Sequence, residues 1–130
     1  GHHNSYRSTD PVNQLDWLRR ERYDEVVRYT RDLIQLRRRI SAFRMTSAKC
    51  IQKNVMFSSI EEKVLVYHLH HLKNCEFSSI FVYINPTSQV FYQSFPDYVE
   101  LLANEAGAIT DYNVQSVAIN PYTMVIVGSK

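Results

Sequence analysis

Two hydrophobic periodicities divide this chain. From about Arg19 to Ile40, apolar positions Tyr23, Val26, Val27, Thr30, Leu33, Ile34 and Arg37 recur at i, i+3, i+4 and i+7. That spacing predicts one amphipathic helix with a single apolar stripe. Asp16 is placed to cap a helix beginning near Trp17 or Leu18. Glu21, Asp24 and Glu25 come early and Arg37, Arg38 and Arg39 late, as the helix dipole favours. After Ser41 the period shortens. Runs near 54–57, 64–70, 79–85, 90–94, 99–102, 114–119 and 123–127 are rich in Val, Ile, Tyr and Phe. Turn residues such as Lys73-Asn74, Asn85-Pro86 and Asn120-Pro121 bound them, so they read as strands. Strands at this short, regular spacing predict an antiparallel β-sandwich. Residues 1–18 show no sustained period, and Ser8-Thr9-Asp10-Pro11 is turn chemistry.

Composition supports a division between the two regions. All ten arginines fall in residues 1–44, against six acidic residues, while residues 45–130 hold five lysines against seven acidic residues. A shift of that kind is what a boundary between structural units looks like, and the length allows one domain or one domain plus an appendage. A 45% hydrophobic fraction over 130 residues is enough for a core without metal or disulfide staples. Cys50 and Cys75 are far apart and outside any C-x-x-C, so they read as free thiols. No apolar run approaches 18 residues, and no basic-then-apolar leader opens the chain as given; neither a membrane span nor a signal peptide is expected in it. Gly1-His2-His3 is either native or a cloning remnant.

Several groups carry candidate chemistry. His68 and His70, with His71 beside them, sit at i, i+2 in a strand and can begin a metal site, but no third ligand has suggestive spacing. The plainer reading is histidines on an exposed strand face, and no metal is expected. Arg37-Arg38-Arg39 with Arg44 has the composition of a nucleic-acid patch, but Leu36 and Ile40 break it into a helix face and the net charge is only +2; no nucleic-acid partner is expected. A retaining glycosidase needs two carboxyls about 5 Å apart on a rigid frame. Asp10, Asp16, Glu61, Glu62 and Asp97 lie in no such context and read as caps, turns or solvated groups. Asn4, Tyr6, Asp10, Asn13, Asp16 and Trp17 combine amides, carboxylates and aromatic faces, the groups used for sugar recognition.

The run Asn4-Ser-Tyr-Arg-Ser-Thr-Asp-Pro-Val-Asn-Gln-Leu-Asp-Trp17 resembles the segment of type I pullulanases that follows the eighth barrel strand. Tyr29 to Ala48, with Leu33-Ile-Gln-Leu-Arg-Arg-Arg-Ile-Ser-Ala-Phe-Arg44, is similar to that family's last barrel helix and exit. Val64-Leu-Val-Tyr-His-Leu69 and Ile80-Phe-Val-Tyr-Ile-Asn85 are similar to its C-terminal β domain. The resemblance implies a parent in glycoside hydrolase family 13, of the α-amylase clan, hydrolysing α-1,6 linkages in pullulan, glycogen or starch dextrins. Residues 1–44 would be the barrel remnant and 45–130 the C-terminal sandwich. The catalytic carboxylates would lie upstream, so no catalytic residue and no cofactor is expected here, and the chain alone is expected to be inactive. Asn4, Tyr6, Asp10 and Asn13 would line the glucan cleft. The partners implied are the upstream (β/α)8 barrel and an α-glucan, with a homodimer through the open helix stripe when the barrel is absent. A different reading is a self-standing carbohydrate-binding or interaction module, for which Tyr83, Tyr92, Tyr98 and Tyr122 are the candidate sugar row. The preferred glucan, and whether the parent is cytoplasmic or secreted, stay open.

Overall fold

The computed structural model describes residue 14 and residues 16–130. A short helix α1 (Leu18–Arg22) leads into the long helix α2 (Asp24–Arg39), a 3-10 turn (Ser41–Arg44) and a third helix α3 (Ala48–Asn54). Seven strands follow: β1 (Val55–Ile60), β2 (Val64–Leu69), β3 (Ser79–Ile84), β4 (Phe91–Asn104), β5 (Gly107–Ala108), β6 (Asn113–Ile119) and β7 (Met124–Ser129). All the strand pairings are antiparallel. They join in the order β1-β2-β3-β7-β4-β5, with β6 on the other edge of β4.

The long strand β4 makes this sheet a two-layered structure. It pairs with β6 at Phe91–Ser94 and again at Val99 and Glu100, and with β7 from Glu100 to Ala103; the register against β6 shifts between Ser94 and Val99. Phe95-Pro96-Asp97 occupy that irregularity, where proline's missing N–H is tolerated. The sequence reads two strands here, at 90–94 and 99–102; the chain instead makes one bent strand. The bend folds β4 and β6 over the sheet. Phe91, Val99, Leu101, Val117 and Ile119 pack on Val64, Val66, Tyr83, Val125 and Val127. The opposite sheet face meets the helical segment: Leu36, Ile40 and Ala42 pack with Leu69, Phe77, Ile80, Val82, Leu102 and Ile126. The order is therefore helix, sheet, strand pair, with two cores.

Local chemistry explains the joints. The Leu18 amide donates to Asp16 Oδ1 at 3.1 Å, so Asp16 starts α1 from one position before the cap, which is Trp17. The expected single helix is interrupted at Tyr23 (φ −117, ψ 37). Helix α3, which has no periodic signature, begins at Ser47, whose hydroxyl accepts from the Cys50 amide. Glu61 and Glu62 turn β1 into β2 with φ 50 and 58, a left-handed pair that non-glycine residues adopt at some cost. Asn85 is buried at the β3–β4 corner. Its Nδ2 donates to the carbonyls of Gln89, Ile119 and Asn120 at 2.7–3.0 Å, and its Oδ1 accepts from the Thr87 amide and hydroxyl. One amide thus ties β3, β4 and β6 together.

Candidate functional site

Helix α2 carries two apolar stripes. Leu33, Leu36 and Ile40 face inward, and Leu36 and Ile40 are buried in the core. Tyr23, Val26 and Ile34 face outward at 53%, 62% and 52% exposure. At 100° per residue the two stripes are about 100° apart. The single stripe read from the sequence is corrected here: of its members, Leu33 packs against the core, whereas Tyr23, Val26, Thr30, Ile34 and Arg37 are exposed. The periodicity of 23, 26, 27, 30 and 34 is real, but it belongs to the face that the sheet does not cover. Trp17 and Leu18, before the break at Tyr23, are exposed by 73% and 72%.

The uncovered face continues onto the sheet. A groove of about 700 Å³ is lined by Val26 and Tyr29 of α2 with Ile84, Pro86, Tyr122 and Met124. Ile84 pairs across the sheet with Leu65, and both are exposed. Phe57, 65% exposed on the edge strand β1, rests on Tyr67 with ring centroids 5.1 Å apart. These exposed apolar side chains make this face the candidate interaction surface of the described residues. Among the described residues no helix is long and apolar enough to cross a membrane.

Asn4, Tyr6, Asp10 and Asn13 lie outside the described residues. Of the same cluster, Asp16 is exposed and sits 3.5 Å from the Arg19 guanidinium. Of the four candidate sugar-row tyrosines, Tyr83 is a core residue whose hydroxyl is pushed up to about 12 by burial. Tyr92, Tyr98 and Tyr122 are exposed. The histidines do cluster: His70 is 5.2 Å from His68 and 4.7 Å from His71, centroid to centroid. His68 is not on a solvated face. It stacks on Phe81 at 4.0 Å, its Nε2 is 2.7 Å from Ser79 Oγ, and burial, with His70 and His71 adding, holds its pKa below the usual 6.5. No group of three His, Cys, Asp or Glu able to hold a metal occurs among the described residues.

No family profile matches the chain. Over 72 residues, 55% of its length, it is 46% identical to the pullulanase of Bacillus subtilis, and spans 10% of that protein. Among solved structures it is similar over 99% of its length to pullulanase type I from Bacillus subtilis complexed with maltose, with a TM-score of 0.85 and 34% identity. It is similar over its full length to a pullulanase from Anoxybacillus complexed with maltotetraose (TM-score 0.83, 26% identity). The pullulanase from Bacillus acidopullulyticus is matched over 99% of this chain (TM-score 0.81, 28% identity). The chain spans only 16–19% of these three structures. In sequence and in fold, this chain matches a C-terminal part of a type I pullulanase.

Proposed function

We propose that the chain is the non-catalytic C-terminal piece of an enzyme hydrolysing α-1,6-glucosidic linkages in pullulan, glycogen or starch dextrins, and that it closes and stabilises the catalytic barrel. The observation that carries this reading is the outward stripe of α2, continuous with exposed Ile84, in a chain that matches pullulanases over its whole length. A helix that is apolar on two sides needs two partners, and the sheet supplies one. Residues 1–44 then belong to the barrel, as the loop after its eighth strand and its last helix, and 45–130 form the C-terminal domain. Asn4, Tyr6, Asp10 and Asn13 line the glucan cleft at the barrel mouth. Where no barrel is present, a second copy covers the same face; a monomer by light scattering at high concentration would contradict that pairing.

Pullulan hydrolysis tests the reading. The chain alone is compared with a chimera in which it replaces the matching segment of the Bacillus subtilis pullulanase. Hydrolysis by the chimera only is expected; hydrolysis by the chain alone would mean that it holds its own carboxylate pair. In the chimera, Asn4→Ala or Asp10→Ala should lower kcat/KM about tenfold or more, the loss of one or two hydrogen bonds to substrate, and unchanged kinetics would remove these residues from the cleft. A self-standing carbohydrate-binding module remains the second reading, favoured by exposed Tyr122 beside Glu25 and Glu105 in the α2 groove. Maltohexaose binding by the chain alone that is lost in Tyr122→Ala would favour it.

A further inference from the structure

Cys50 and Cys75, the only two cysteines of the chain, are both free and line one cavity of about 680 Å³. Met45, Lys53, His71 and Lys73 line it with them. The backbone explains how residues so far apart in sequence come to line one cavity. Asn54, the last residue of α3, donates through Nδ2 to the carbonyls of His70 and His71 at 2.8 and 3.1 Å, and its own carbonyl accepts from the His70 amide. This pins the end of α3 to the segment after β2. Cys50 is one helical turn before Asn54 and shares its side of α3. Cys75 follows Asn74, which is held at φ 56 in the irregular stretch between β2 and β3. Helix α3 buries none of its residues, while Cys75 is half-buried at the margin of the helix-facing core.

We propose that Cys50 and Cys75 form a reversible dithiol–disulfide pair that exchanges with small anionic disulfides of the oxidised-glutathione type. Lys53 and Lys73 give the cavity the positive charge that attracts such a reagent. Cys50, the more exposed thiol, loses its proton to water and its thiolate attacks one sulfur of the small disulfide. The S–S bond of the reagent breaks, one thiolate leaves, and a mixed disulfide forms on Cys50. The Cys75 thiolate then attacks the Cys50 sulfur, the protein disulfide closes, and the second small thiolate leaves. The protein is oxidised by two electrons and the reagent is reduced to two thiols. The bridge ties α3 to the β2–β3 connection.

The test is treatment of the native full chain with oxidised glutathione, followed by intact mass and peptide mapping. The expected product is a monomer about 2 Da lighter, with Cys50 and Cys75 in one cross-linked peptide, restored by dithiothreitol. Cys50→Ser and Cys75→Ser should each stop at a stable mixed disulfide on the remaining thiol. A wild-type chain that ends with glutathione on one or both cysteines, or with bridges only between chains, would overturn the proposal. So would a native chain that stays unreacted where the urea-unfolded chain is oxidised.

Discussion

The two sides of α2 are alike in composition and opposite in fate. The inward side places Leu36 and Ile40 at 4% and 2% exposure against strands β2, β3 and β7, while the outward side leaves Val26 and Ile34 more than half exposed. Propensity does not separate them, because both stripes repeat at helical spacing. The difference lies in which neighbour is present. A helix apolar on two sides can sit between two layers, and the sheet supplies one of them.

The comparison breaks first at the inward stripe. Leu36→Ala or Ile40→Ala should destabilise the chain by about 2–5 kcal/mol, because each leaves a void between helix and sheet; urea denaturation measures it. A loss below about 1 kcal/mol would mean that the helix is not held by this core. Gly128 sharpens the same point on the sheet side. A Cβ there would lie 2.5 Å from Phe77 Cδ1, and Phe77 is fully buried in the helix-facing core. Gly128→Ala should therefore cost about 1–3 kcal/mol through overpacking, whereas an alanine on the outward face of α2 should change little.

Asn85 and His68 set effects outside the helix-facing core. Asn85→Ala leaves three carbonyls short of a donor at the β3–β4 corner and should cost roughly 1–3 kcal/mol. His68 predicts a pH dependence. Its folded pKa lies below 6.5, so as pH falls through 6.5 the unfolded chain takes the proton first and stability declines, down to the lowered folded value. The urea midpoint should thus fall between pH 7.5 and pH 5.5, and fall less in His68→Asn. An equal fall in both would assign the acid sensitivity elsewhere.

Much of this was legible in the chain. Strands β2, β3, β6 and β7 show themselves through runs such as Val64–Leu69 and Ile80–Ile84, and the charge order of α2 is visible in Asp24, Glu25 and Arg37–Arg39. What stayed hidden needed partners from elsewhere in the fold. The runs at 90–94 and 99–102 read as two strands because the irregularity joining them exists only once β6 pairs with β4 on both sides of it. Helix α3 has no buried face and therefore no period to read; Ser47 before Ala48 was its one signal. Asn85 read as a turn residue, which it is, but its ties to Ile119 and Asn120 are contacts across more than thirty residues. The stripe of α2 was seen as one face, and only the structure separates Leu33, packed on the sheet-side core, from exposed Val26 and Ile34, since periodicity reports that a face is apolar and not what covers it.

The most direct measurement is the stability of the Val26→Ser, Ile34→Ser double variant in two settings: the dilute, monomeric chain, and the chimera with the Bacillus subtilis pullulanase. If the outward stripe docks on the barrel, the isolated chain should change by no more than about 0.5 kcal/mol, as exposed positions do. The chimera should lose about 2 kcal/mol or more, as two buried aliphatic side chains would. Equal changes in the two settings would contradict the docking role.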